Sequence, residues 1–107
     1  MIEIEMKQGE QRRIKFVVKE GSTAYDLTGA TFQLKIATDD AVTVIITKND
    51  GDFDKTDVAD GIAYVTITST DSDQDAALYI GELKITLSGG SIDKSEDIQY
   101  RLKRAIT

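Results

Sequence analysis

Apolar residues recur at every second position through almost the whole chain, and proline is absent. A period of two sends alternate side chains to opposite faces of an extended backbone, so the sequence is restricted to strands with one dry face. Ile2, Ile4 and Met6 fall on one face and Glu3, Glu5 and Lys7 on the other, until Gln8-Gly9-Glu10 breaks the pattern. A second segment, Arg12 to Lys19, sets Ile14, Phe16 and Val18 against Arg13, Lys15 and Lys19, and Glu20-Gly21-Ser22 turns it. Ala30, Phe32, Leu34 and Ile36 make the cleanest strand, closed by Asp39-Asp40. Val42 to Thr47 is a dense β-branched run, and Asp50-Gly51 after it suits a tight turn. Residues 53–61 read as an exposed, Asp-rich loop. Ala63, Val65 and Ile67 define a further strand, as do Tyr79, Leu83, Ile85 and Leu87, and finally Ile98, Tyr100 and Leu102 beyond the Gly89-Gly90 turn. Between the last three, Ser69 to Ala77 loses the alternation. Ser69 or Thr70 as cap, acids and two alanines predict one short helical turn near residues 70–77.

The expected fold is therefore all-β: an immunoglobulin-like β-sandwich of about seven antiparallel strands, with a small barrel as second architecture. The 107 residues suit one domain spanning 1–107, and neither a linker nor a repeat interrupts them. No stretch reaches the roughly 20 apolar residues of a membrane span, and the charged start lacks the apolar run of a signal peptide. Synthesis in a cytoplasm and no membrane partner are the expectations.

Function is narrowed by what the chain does not contain. Histidine and cysteine are both absent, which removes the commonest general base, the commonest transition-metal ligand and the best nucleophile. We expect no enzyme and no cofactor. The net charge of −6 is uneven: from Asp39 to Asp75 ten Asp face only Lys48 and Lys55. An acidic chain gains nothing from counterion release, so nucleic acid is not an expected partner. Solvated loops account for the acidic stretch, and its functional alternative is a polar subunit that stacks basic end on acidic end.

One spacing resembles a metal site. Asp71, Asp73, Asp75 and Glu82 match positions 1, 3, 5 and 12 of a calcium-binding helix–loop–helix. The loop needs glycine at position 6, where this chain has Ala76, and its flanks read as strands, so the four acids are weak candidate ligands. Asn49, Asp50, Asp52 and Asp54 are oxygen-rich, but turns favour such residues for geometry alone. Arg12, Arg13 and Lys15 on an early strand, with Arg101, Lys103 and Arg104 on the last, either guard sheet edges or form a docking face for an acidic partner. Tyr25 and Tyr64 are the tyrosines placed to be exposed, with Tyr79 and Tyr100 in the core.

The order of the pieces carries a resemblance. Gly9-Glu10-Gln11-Arg12-Arg13-Ile14-Lys15-Phe16 precedes Asp26-Leu27-Thr28-Gly29-Ala30-Thr31, and Thr68-Ser69-Thr70-Asp71 leads through Ala77-Leu78-Tyr79 to Gly81-Glu82-Leu83. This series, over most of residues 6–102, resembles the N-terminal domain of phage baseplate upper proteins and related small β-sandwich proteins of tailed phages and prophages. Asp26, Leu27, Thr28, Gly29 and Gly81 are its structural residues. Asp26 suits a self-capped turn, Leu27 an anchor, Gly29 a positive φ, and Gly81 a close approach. The resemblance implies a virion protein of the tail or baseplate, made in the bacterial host, whose partners are other virion proteins or further copies of itself. Those relatives continue into long helical and receptor-binding regions, whereas this sequence ends at Thr107. A carbohydrate-binding or adhesion-type sandwich is the alternative from another class.

Overall fold

Residues 2–107 are described by a computed structural model. The strands are β1 (Ile2–Lys7), β2 (Arg12–Val17), β3 (Lys19–Glu20), β4 (Thr23–Ala24), β5 (Thr31–Thr38), β6 (Val44–Lys48), β7 (Phe53–Asp54), β8 (Ile62–Ile67), β9 (Ala77–Thr86), β10 (Ile92–Lys94) and β11 (Ile98–Lys103). They build two layers and a small ribbon. One layer runs β1-β11-β9-β5-β6, with β10 also paired to β9; the other runs β2-β8-β7; β3 and β4 pair with each other.

Alternation decides which side chains lie between the layers. Along β5 and β8 every second residue is buried, and Phe32, Leu34 and Ile36 meet Ala63, Val65 and Ile67 in one apolar cluster. Phe53 from β7 stacks on Phe32 with centroids 5.4 Å apart, which joins the layers through two rings. Burying a side chain of this size contributes roughly 1.5–3 kcal/mol, so this shared interior is what holds the layers together.

The order β2-β8-β7 against β11-β9-β5-β6 is the B-E-D and G-F-C-C′ order of an immunoglobulin variable-type sandwich. The link from β8 to β9 crosses between layers and carries that fold's hallmark corner. Tyr79, near the start of β9, donates its hydroxyl to the Asp75 carbonyl at 2.6 Å. Two residues on, where antibody domains place a disulfide cysteine, stands Gly81. The protein is an immunoglobulin-like β-sandwich.

Three expectations need correction. The strands are not all antiparallel: β1 lies parallel to β11, Ile2 beside Ile98 through Lys7 beside Lys103. Alternation is blind to direction, because parallel and antiparallel neighbours demand the same pattern. Second, no helix forms at 70–77. Thr68 and Asp71 cap each other reciprocally, the Thr68 amide donating to the Asp71 carboxylate and the Asp71 amide to the Thr68 hydroxyl. Hydrogen bonds from Ser72 to Thr68 and from Asp73 to Thr70 close a turn, and the chain then extends into β9. The cap is real, one residue earlier than expected, and no helix follows it. Instead, single 3-10 turns occur at Asp50–Asp52 and Val58–Asp60, and the segment 53–61 read as exposed loop opens with β7, whose Phe53 is buried opposite Val65. Third, the run from Val42 begins too early: β6 starts at Val44, and Val42 is 78% exposed.

An unpaired strand edge and its groove as the candidate site

The residues singled out from the sequence are scattered, and most serve turns. Asp26 accepts hydrogen bonds from the Thr28 amide (2.9 Å) and hydroxyl (2.5 Å), and these hold its carboxylate below the usual range. Leu27 is buried, its amide bonded to the Val58 carbonyl, and Gly29 has φ +79. A Cβ on Gly81 would stand 3.1 Å from Ile36 Cγ1 and 3.2 Å from the Lys35 carbonyl, so β5 approaches β9 closely there.

The four acids of the calcium spacing do not converge. Asp71 is tied to Lys48 Nζ at 2.5 Å and to the Thr68 amide. Asp73 and Asp75 are exposed on the corner, while Glu82 lies on β9 with Lys94 Nζ at 3.9 Å. No group of three acids placed to hold a cation occurs among the described residues. The second oxygen cluster is likewise engaged. Asn49 and Asp52 cap a 3-10 turn; Asp50 accepts from Lys55 and the Phe32 amide; Asp54 accepts from Thr56 and Arg13. The tyrosines are committed too: Tyr79 and Tyr100 pack in the core, Tyr25, expected to be exposed, is half-buried against it, and the Arg13 guanidinium covers the Tyr64 ring at 3.9 Å.

A mainly apolar concavity lies elsewhere. β2 pairs with β8 on one side, and among the described residues no strand pairs with its other side. Constant-type immunoglobulin sheets carry a fourth strand at this place. Here the edge borders a groove of about 310 Å³ whose walls are Ile2, Phe16, Val17, Leu83 and Ile85. Its rim is polar, with Lys19 on one side and Asp93, Lys94, Ser95 and Glu96 on the other. Ser95 fixes that rim: its amide donates to the Leu83 carbonyl (2.8 Å), and its hydroxyl accepts from the Leu83 amide (3.0 Å). Val17 is 49% exposed beside the groove.

No family model and no curated protein matches the chain. Among solved structures it is similar to "Drosophila OTK, extracellular domains 3-5" at 12% identity, with a TM-score of 0.44. That match covers 100% of this chain and 34% of the other, so this chain spans about a third of its length.

Sequence reasoning missed the groove because it scored Phe16 and Val18 as inward and passed over Val17. The signal was present: Phe16-Val17-Val18 breaks the alternation, which puts an apolar residue on a face that should be polar. Ala77-Leu78-Tyr79-Ile80 is a second such break. Ile80 sits on the outer face of the large sheet beside Ala37, and Ala37 beside Val44, which is 46% exposed.

Proposed function

We propose that the protein is a non-enzymatic structural component of a phage or prophage particle, of its tail or baseplate, acting through contacts with other virion proteins and with copies of itself. The observation that carries this reading is the unpaired β2 edge lying along an apolar groove. A strand edge offers a row of backbone donors and acceptors, and the adjacent groove takes alternate side chains, which is how sheets add a strand from a partner. The ordered motif series from Gly9 to Leu83 supports the particle assignment. The carbohydrate-binding alternative needs an aromatic platform, and Tyr64 is covered by Arg13, Tyr25 is half-buried against the core, and Tyr79 and Tyr100 are buried.

The test is whether the protein travels with particles. Particles purified from the source strain after prophage induction are expected to contain it at fixed stoichiometry by mass spectrometry, with tail or tape-measure genes beside its own. Recovery of the chain only in the particle-free fraction, without such neighbours, overturns the reading. Saturable hits on a glycan array replace it with the second class.

A further inference from the structure

Two features at opposite ends of the molecule complement one another. The groove opens at the end where β1 and β11 begin, with Ile2 in its wall. The segment after β11 leaves at the other end, where β1 finishes: Gln8 donates its amide to the Lys103 carbonyl, and its side-chain oxygen accepts the Ala105 amide at 3.1 Å. The six residues of β1 separate these ends by about 20 Å. Beyond that anchor Ile106 is 91% exposed, the most exposed of the large apolar side chains among the described residues. An isoleucine held out in water by an anchored segment, and an apolar groove without a strand, are matching halves.

Charge agrees with shape. Lys103 and Arg104 precede Ile106, and among the described residues Arg104 enters no ion pair. The groove rim carries Asp93 and Glu96 beside Lys19 and Lys94, the latter within 3.9 Å of Glu82, and Asp97 follows the rim; among the described residues neither Asp93 nor Asp97 is ion-paired. A cation two residues before the apolar anchor can therefore meet acid at the mouth that the anchor enters.

We propose that residues 104–107 of one copy dock in the groove beside β2 of the next, with Ile106 against Val17, Leu83 and Ile85 and Arg104 against Asp93 and Asp97. The contact is heterologous, because the two surfaces differ and lie at opposite ends. Such contacts build rings or filaments rather than closed two-fold dimers. The inference rests on the assembly reading above and names its partner: a second copy of this chain.

Sedimentation equilibrium tests it. The wild-type chain is expected to associate progressively from tens of micromolar to about a millimolar, more weakly at about 500 mM salt than at about 50 mM. Ile106→Asp and Val17→Asp should each weaken association about tenfold or more. Mixing the two variants in equal amounts should then give a dimer and nothing larger, since each keeps the half that the other lacks. A reciprocal two-fold contact could also give a mixed dimer, but its wild-type chain would stop at the dimer, so wild-type growth beyond two copies marks the contact as heterologous. Both positions are exposed, and circular dichroism checks that the variants fold. Should Val17→Asp unfold, the charge pair replaces it: Arg104→Glu should weaken association, and a partner carrying Asp93→Lys and Asp97→Lys should restore it. Association indifferent to all these changes overturns the groove contact and leaves assembly through another face standing. A monomer at a millimolar overturns self-docking altogether, while the chain's presence in particles still decides the virion reading separately.

Discussion

The Tyr100 ring is fully enclosed against Tyr79, and its hydroxyl has no hydrogen-bond partner among the described residues. Burial, with the charge of Asp71 nearby, pushes its pKa up to about 12. A buried hydroxyl left unpaired costs about 1–3 kcal/mol, so Tyr100→Phe should leave the packing intact and raise stability by roughly 1 kcal/mol in urea denaturation at neutral pH. The alkaline side follows from linkage. A group whose pKa is raised on folding contributes stability in full below its unfolded value near 10, and loses it as pH climbs toward about 12. The phenylalanine variant should lack that loss when both are unfolded at pH near 11. Gly61 is the other residue with a sharp expectation. At φ +74, a Cβ there would stand 2.4 Å from the Val18 carbonyl and 2.8 Å from that of Tyr25. Gly61→Ala should cost about 3 kcal/mol or more, whereas Gly51→Ala, with open space around it, should cost under about 1 kcal/mol.

At the level of elements, the turn from β5 to β6 stores strain. Ala41 has φ +61, a left-handed conformation that costs an alanine roughly 1 kcal/mol and a glycine very little. The turn holds because Asp40 accepts from the Thr38 hydroxyl and the Val42 amide, which also lowers its carboxyl below the usual range. Ala41→Gly should raise the thermal midpoint by a few degrees, as about 0.5–1 kcal/mol does in a chain of this size. Most strands were legible because alternation is the direct imprint of a half-buried surface; β8 follows it residue by residue, and β5 follows it as far as Ile36. What failed was local. The Thr68–Asp71 cap was readable as residue types, but the same pair that can start a helix also closes an isolated turn, and only the pull of β9 into the sheet chooses between them. The start of β6 was hidden because Val42 and Val44 are equally β-prone, and the hairpin geometry rather than propensity sets the boundary.

Across the whole molecule, topology was the least legible level and the candidate site with it. Nothing in the residues of β1 records that its neighbour is the last strand, in parallel, and without that pairing the groove beside β2 cannot be inferred. The contact that ties the layers at the far end of β6 was equally hidden. Lys48 lies opposite Leu34, facing inward from the large sheet, and reaches Asp71 on the corner after β8, with the two side chains 12% and 23% exposed. Burial alone would raise the Asp71 pKa, but hydrogen bonds from Lys48 and Thr68 and the lysine charge outweigh it, so the net shift is downward. A carboxyl with a depressed folded pKa contributes its stability above the unfolded value near 3.8, and loses it as pH falls through the lower folded value. Asp71→Asn leaves the Lys48 ammonium unpaired between layers and should cost about 2 kcal/mol at pH 7. Once pH has fallen below the depressed folded value, the wild-type carboxyl is itself neutral, so the gap between the two proteins should shrink toward zero. Urea midpoints at both pH values check this. A gap that persists in acid would mean that the corner is held by its turn bonds and not by the ion pair.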